Sequence, residues 1–385
     1  MDNARCVHAL NFGRKLCVNA VFFLIPLHFL KIGYKGWQIG LAVSLFAFAP
    51  LLFSFPTGWL NDRLSIREIV HAALAATSLA FFLLWRVQHF LPVALIFLLL
   101  GVANNALDVS LNSLYFKTET AHDLNRRYSR LAFWQSLGAA FGTLLGGILV
   151  AVTDFELLFI VLAFFILLFQ ALAARLRSVP FVSVPLKIYK RRILNRRLIL
   201  FSVMIFFIGL HWGVEGTVYS PFLREYFNLG LTSLSLYISL SLFGLAFSAF
   251  LIGLIRHNPR LNMRIFLFSM FLSGMGLILM VNRHLFLSFF FRLIHEVGDG
   301  FLGALLWLFV SRLFEKTSIG GGAAILLTVM TLGQVVGSLS FATIGFRYGL
   351  AYPFYIGGLL LVADAFFGRK VIGAVLREEP SSPFS

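Results

Sequence analysis

Charged residues are scarce in this sequence. Of its 385 residues only 12% are Asp, Glu, Lys or Arg, whereas 59% are hydrophobic. Soluble domains are about a quarter charged and about half apolar. The composition therefore excludes an ordinary soluble enzyme and indicates an integral membrane protein. Cysteine is scarce as well: the sequence has two, Cys6 and Cys17. Two cysteines cannot form a framework of disulfides.

The motifs of several function classes are also missing. The sequence has no GxxxxGK[ST] nucleotide loop and no nucleophile elbow, and no segment between its hydrophobic runs is long enough for a soluble catalytic domain. We therefore predict that the protein is not an enzyme, carries no ATP motor of its own and needs no cofactor or resident metal.

Long hydrophobic runs fill most of the chain. A helix needs about 20 mostly apolar residues to cross the hydrocarbon core, and the twelve runs that qualify are called spans 1 to 12 below. They lie at 12–31, 37–60, 68–88, 91–116, 128–151, 155–175, 198–222, 231–255, 263–282, 285–312, 319–346 and 351–369. We expect an all-α membrane protein with bundles at 1–175 and 198–385, the second ending in a short tail, joined by a basic linker at 176–197.

Basic residues outnumber acidic ones, 32 to 16, and their positions predict the orientation. Lys and Arg prefer cytoplasmic loops, and most of them fall on one side if the N-terminus is placed inside. We therefore expect both termini in the cytoplasm, and we interpret the net charge of +16 as a topology signal rather than as nucleic-acid binding. Short loops without Asn-x-Ser/Thr sites favour a bacterial inner membrane, and we expect a monomer.

One loop after span 2 resembles a known signature. The stretch "GWLNDRLSIR" (58–67) is similar to Gly-x-Leu-x-Asp-Arg-x-Gly-Arg-Arg, the loop of the major facilitator superfamily, with Ser65 in place of the second glycine. The matching residues are Gly58, Leu60, Asp62, Arg63 and Arg67. The resemblance implies two pseudo-symmetric six-helix bundles with a substrate site between them near the membrane midplane.

The same resemblance gives roles to two sets of residues. Gly58, Asp62, Arg63 and Arg67 would latch the halves together on the cytoplasmic side, and Gly58 would let the end of span 2 pack closely against a neighbour. Span 5 carries a stripe of small residues that favours close helix contact and resembles a motif of proton antiporters, with Thr143 at the usual proline position. Its glycines are Gly138, Gly142, Gly146 and Gly147.

Polar side chains recur at helical spacing inside four spans. At 100° per residue, the polar residues of span 4 share one face, and such a face must lie against protein or water because polar groups in lipid are costly. Spans 1, 7 and 10 repeat the pattern, and in the family these four spans line the central cavity. The residues are Asn11, Lys15 and Asn19 in span 1; Asn104, Asn105, Asp108 and Asn112 in span 4; His211, Glu215 and Tyr219 in span 7; and Arg292, His295, Glu296 and Asp299 in span 10.

These residues divide into two expected roles. A carboxyl group in low dielectric takes up a proton more readily than in water, and histidine titrates near neutral pH. The predicted proton-coupling residues are Glu215, Glu296, Asp299, His295 and Asp108. The predicted substrate-binding residues are Asn104, Asn105, Asn112, His211, Tyr219, Arg292 and Asn19. Because acids outnumber Arg292 within the spans, we expect a cationic or neutral polar substrate.

The sequence therefore predicts a secondary active transporter that moves a small molecule by alternating access, coupled to protons, within a lipid bilayer. Three alternatives stay open. The phenylalanine-rich walls would also suit a lipid or lysolipid flippase. The four-residue spacing of His211 and Glu215, and of His295 and Asp299, would suit a divalent metal transporter. A membrane sensor would bind a ligand without moving it.

Overall fold

The computed structural model describes residues 3–61, 63–118, 124–177, 196–255, 258–313 and 319–376. Within these ranges the regular structure is α-helical. The helices are α1 (Asn3–Phe22), α2 (Ile25–Lys31), α3 (Gly36–Asn61), α4 (Ile66–Arg86), α5 (Phe90–Thr118), α6 (Leu124–Val152), α7 (Phe155–Ala173), α8 (Arg196–Thr217), α9 (Tyr219–Phe227), α10 (Leu231–Ile252), α11 (Pro259–Leu279), α12 (Leu285–Leu313), α13 (Ile319–Tyr348) and α14 (Tyr352–Leu376).

Every predicted span falls on helix. With α1 and α2 taken together, ten of the described helical segments are long and apolar enough to cross a membrane, and they cover spans 1 to 9 and span 11. Spans 10 and 12 fall on α12 and α14, so the count of twelve stays a prediction. Most of the expected linker lies outside the described residues. Below, the first half means residues 3–177 and the second half means residues 196–376.

Spans 1 and 7 are each divided into two helices by a proline. A proline ring clashes with the carbonyl group four residues before it and provides no N–H to bond that group. Helix α1 ends at Phe22, four residues before Pro26, and α8 ends at Thr217, four residues before Pro221. The first span of each half is therefore broken at the same relative position.

Glycine stripes bring helices into backbone contact within each half. A Cβ atom added to Gly138, Gly142 or Gly146 of α6 would overlap the carbonyl oxygen of Phe12, Leu16 or Ala20 of α1, respectively. In the second half, a Cβ on Gly333 or Gly337 of α13 would overlap the carbonyl oxygens of Phe206 and Leu210 of α8. The small residues thus allow the same close packing twice, between the first and fifth spans of each half.

The two halves meet through α3 with α13 and through α6 with α10. In the first pair, Gly36 and Gly40 lie against Phe346 and Ala342, and the hydroxyl of Ser44 donates to the carbonyl oxygen of Val335 at 3.2 Å. These contacts belong to the end of α3 that the sequence places toward the outside. This end of the molecule is therefore closed.

Two further contacts join α6 to α10. Gly147 lies against the side chain of Ser235, and Ser239 donates to the carbonyl oxygen of Ala140 at 2.8 Å. At the opposite end of α3 the expected close packing is wrong for Gly58. No atom lies within 4 Å of a Cβ built there, and the neighbouring Trp59 is 42% exposed. Among the described residues, Gly58 therefore faces open space.

Candidate functional site

A buried arginine organises the polar residues of the first half. The guanidinium of Arg14 in α1 donates to Asp108 at 2.5 Å, to Asn104 at 2.7 Å and to Asn11 at 3.1 Å. The side chain of Arg14 is 1% exposed, whereas that of Asp108 is 40% exposed. The guanidinium of Arg14 therefore lies against the predicted polar face of α5, and the carboxylate of Asp108 on that face borders open space.

Sequence reasoning missed Arg14. It lies close to the N-terminus and was counted among the cations that set the topology. The available signal was its position three residues after Asn11, which places the two side chains on one helix face.

The polar stripe of α5 divides between two neighbours. Asn104 and Asp108 meet Arg14, but Asn105 turns toward α3, where it accepts a hydrogen bond from Ser54 at 2.8 Å, and its side chain is buried. The expectation of one shared cavity face is wrong for Asn105, because successive residues on a helix point 100° apart. Its partner shows that it joins helices.

The other two predicted amides, Asn112 and Asn19, contact neither Arg14 nor Ser54 among the described residues. Asn112 is half-buried, and its side-chain oxygen has no hydrogen-bond partner among the described residues. Asn19 bonds within its own helix, where its side-chain amide donates to the carbonyl oxygen of Lys15 at 2.9 Å.

A second polar cluster lies in the second half, and its centre is Arg292 of α12. This fully buried guanidinium contacts Glu215 of α8 at 2.6 Å and also pairs with Glu296, one turn further along α12. The ring of Tyr219 lies 4.2 Å from its central carbon, which adds a cation–π contact. One cation thus holds two carboxylates and the first residue of α9 together.

His295 lies between this ion pair and a third carboxylate, Asp299, which is 4.0 Å from its Nε2 atom. Its Nδ1 atom lies 2.9 Å from the carbonyl oxygen of Ser273, and its Nε2 atom lies 2.9 Å from Glu215. The hydroxyl of Ser273 also lies 2.9 Å from Nδ1, but this hydroxyl donates to Asp299 and a carbonyl oxygen accepts only, so Nδ1 carries a hydrogen. The contact between Nε2 and Glu215 then needs a further proton, which resides on either the imidazole or the carboxyl group.

Asp299 completes the cluster. It accepts from the hydroxyl of Ser273 at 2.5 Å and from the indole of Trp212 at 2.9 Å, and His211 lies 3.2 Å away. We call these residues the acidic cluster: His211, Trp212, Glu215, Ser273, Arg292, His295, Glu296 and Asp299. Sequence reasoning missed two of them. Ser273 belongs to α11, outside the four spans considered, and Trp212 is the direct neighbour of His211.

Three members of this cluster lie close enough to share a cation. The possible ligand atoms of His211, His295 and Asp299 are all within 4.8 Å of one another. Asp299, however, already accepts from Ser273 and Trp212, so a metal ion would have to compete with these donors. The geometry permits a divalent cation and does not require one.

A search by family confirms the relationship that the loop after span 2 indicates. The family model described as Major Facilitator Superfamily matches residues 9–210. The chain belongs to the major facilitator superfamily. No curated protein sequence matches it. As a member of this superfamily, the chain is a multi-pass membrane protein and a secondary transporter that carries a small molecule.

Solved transporter structures share the fold of this superfamily member. The nucleoside transporter NupG (D323A mutant) superposes with a TM-score of 0.75 at 14% identity, over 98% of this chain and 100% of that one. A bacterial homologue of the human lysosomal transporter Spinster, inward-facing and unoccupied, gives 0.77 at 13%, over 99% and 98%. The human organic anion transporter MFSD10 (TETRAN) gives 0.70 at 17%, over 95% and 100%. At these identities the likeness concerns the fold alone.

The structure describes only part of the signature loop at 58–67. Asp62 lies outside the described residues. The guanidinium of Arg63 stacks on Trp59 at 3.9 Å, and Arg67 is exposed. The latch expected of Gly58, Asp62, Arg63 and Arg67 therefore stays a prediction.

Proposed function

We propose that this transporter couples the movement of a small polar molecule to protons by alternating access, with the molecule bound between the two halves. The observation that carries the proposal is the acidic cluster. It holds three carboxylates and a single guanidinium: Glu215 and Glu296 pair with Arg292, and Asp299 lies against His211. Two histidines lie in contact with them, so protons can change the charge of the cluster.

Charge balance explains why protons are needed. If both imidazoles were neutral and all three carboxyl groups ionised, the buried cluster would carry an excess of negative charge. Burying uncompensated charge costs several kcal/mol per ion in proteins. Two protons, shared among His211, His295 and Glu215, remove this excess. A cluster that is stable only when protonated has the property that coupling to a proton gradient requires.

The arrangement also offers a path from proton to conformation. The side chain of Glu215 is 14% exposed, against 2% for Glu296 and 5% for Asp299, so we infer that protons reach the cluster through Glu215. A proton on this carboxyl group weakens its hold on Arg292. Because Arg292 lies against Tyr219, the change reaches α9.

Tyr219 in turn contacts the other half. Its ring packs edge-on against Phe23 with 6.2 Å between the ring centres, and Phe23 lies at the break between α1 and α2. Gly216 lies near the end of α8, three residues before Tyr219. A Cβ atom built on it would lie 3.0 Å from the side chains of Phe22 and Val43 in the first half. These contacts close the outer end of the space between the halves. We infer that proton binding at Glu215 loosens them.

The experiment is uptake into proteoliposomes with an imposed pH gradient. The panel contains nucleosides and organic anions, which the named relatives carry, together with a fluorescent lysolipid and Zn²⁺, which test the flippase and metal alternatives. Binding without uptake would support the sensor. The variants are Glu215→Gln, Glu296→Gln and Asp299→Asn, and the matched control is Glu225→Gln, an exposed residue of α9.

We expect Glu215→Gln to abolish gradient-driven accumulation while exchange of labelled for unlabelled substrate without a gradient continues. This pattern separates coupling from binding, because exchange needs the substrate site but no net proton movement. Glu225→Gln should accumulate substrate like the parent protein. Full gradient-driven accumulation in all three cluster variants would refute the proposal, and Zn²⁺ uptake that depends on His211 would favour the metal alternative.

A further inference from the structure

We propose that Lys15 binds an anionic group of the transported molecule, a carboxylate or a phosphate. The inference rests on the proposed transport function and adds a substrate class to it. Lys15 lies in α1 beside Arg14 and half-buried. It is the fourth residue of span 1 and lies about 18 Å from the start of α1 at Asn3. Its neighbour Arg14 reaches Asp108 of α5, so Lys15 lies at the level of this ion pair within the bundle.

Lys15 has no partner of its own. Its Nζ atom makes no hydrogen bond or ion pair within 4 Å to any described residue, in contrast to Arg14, which has three partners. A charged side chain within a membrane span is costly unless it is paired or reaches water. The described residues supply no pair and the side chain is only half-buried, so we infer that the ammonium group borders water that a dissolved anion can enter.

The neighbouring carboxylate does not satisfy Lys15. Asp108 already accepts from Arg14 at 2.5 Å, yet its side chain stays 40% exposed. This exposure lies in the middle of α5, beside half-buried Asn112, whose oxygen lacks a partner. The space next to Asp108 is therefore open, and this carboxylate offers an acceptor to a hydroxyl or amine elsewhere on the same ligand, whereas the oxygen of Asn112 is itself buried.

The two walls of this space carry opposite charge. In the first half, two cations, Arg14 and Lys15, face one carboxylate, Asp108, which leaves a positive wall. In the second half, the acidic cluster holds three carboxylates and one guanidinium, that of Arg292. The sequence-based expectation of a cationic or neutral substrate counted Arg292 alone among the cations. When Arg14 and Lys15 are counted as well, the first half favours an anionic substrate, and the acidic cluster serves to bind protons.

The test measures the local potential with thiol reagents, so it needs no identified substrate. The purified full-length protein carries Cys6→Ser and Cys17→Ala, because both native thiols are buried, together with Asn112→Cys. Methanethiosulfonates of similar size that carry a negative, a positive or no charge then react with the thiol at position 112. The ratio of the anionic to the cationic rate is compared in Lys15→Gln, Lys15→Arg and the control Lys31→Gln.

A positive wall predicts that the anionic reagent reacts faster than the cationic one. One charge within about 8 Å changes each rate severalfold at an intermediate effective dielectric, so Lys15→Gln should lower the ratio at least about fivefold. Lys15→Arg should restore the ratio, and Lys31→Gln should leave it unchanged, because Lys31 is exposed at the end of α2. This outcome would support the proposal.

Two results would overturn it. A ratio that Lys15→Gln does not change would mean that Lys15 does not act on this space, and a thiol that reacts with none of the three reagents would mean that the space is not open to water. The measurement uses no pH gradient. It can therefore fail while proton-driven uptake is found, or succeed while the Glu215 variants refute the proton proposal.

Discussion

The ion pair between Arg14 and Asp108 should respond unequally to the loss of either member. Arg14 is 1% exposed and Asp108 is 40% exposed, so the two charges depend on each other to different degrees. With Asp108→Asn, the guanidinium stays buried with only the neutral amides of Asn11 and Asn104 as acceptors. With Arg14→Gln, the carboxylate stays beside open space and beside Lys15.

The magnitudes follow from these surroundings. Leaving one member of a buried pair without its partner costs about 3–5 kcal/mol, and this is the expected effect of Asp108→Asn on the free energy of unfolding. Losing a hydrogen bond to a charged group that water can replace costs less, about 1.5–3 kcal/mol, and Lys15 offsets part of this for Arg14→Gln. The double variant removes both charges, so it should be more stable than Asp108→Asn alone.

The assay is thermal unfolding of the detergent-purified protein, followed by tryptophan fluorescence. The expected order of midpoints is parent, then Arg14→Gln, then the double variant, with Asp108→Asn lowest. Glu156→Gln, at an exposed position in the first turn of α7, controls for the removal of a carboxylate as such. The reasoning fails if Arg14→Gln is the least stable, or if the double variant loses the sum of the two single effects.

Two further predictions concern packing and the outer closure. Gly142→Ala places a Cβ against the carbonyl oxygen of Leu16, so it should lower the thermal midpoint by the equivalent of about 1–3 kcal/mol. The control Gly373→Ala has nothing within 4 Å of its Cβ and should leave the midpoint unchanged. Equal midpoints for the two variants would contradict the close packing. Tyr219→Leu removes the ring that lies over Arg292, and a cation–π contact of this kind stabilises by about 0.5–2 kcal/mol. Tyr219→Phe keeps the ring, so the thermal midpoint should fall further for Tyr219→Leu than for Tyr219→Phe. The reverse order would exclude the cation–π contact.

Much of the fold could be predicted from the sequence, because hydrophobic length alone places a membrane helix. All twelve predicted spans fall on helices. The division of spans 1 and 7 was missed, although Pro26 and Pro221 carry the signal. A proline within an apolar run does not by itself decide the outcome, since Pro50 and Pro56 lie inside the continuous helix α3.

The acidic cluster could be anticipated further than the site in the first half. His211 and Glu215 on one helix, and His295 and Asp299 on another, repeat every four residues, and the family fold brings the two faces together. Periodicity within one helix does not tell which neighbour a side chain meets. For this reason Asn105 was assigned to the cavity, although it bonds to Ser54.

The proposed coupling requires that a small change of charge can move the two halves, and the contacts between the halves are weak enough for this. Between described residues, every ion pair lies within one half. The contacts that cross are ring and backbone packing, with hydroxyl groups donating to carbonyl oxygens at Ser44 and Ser239. Such contacts are individually weak. A free-energy shift of about 1.4 kcal/mol changes the ratio of two conformations tenfold. Binding of one proton supplies a shift of this size when the proton binds one conformation about ten times more tightly than the other.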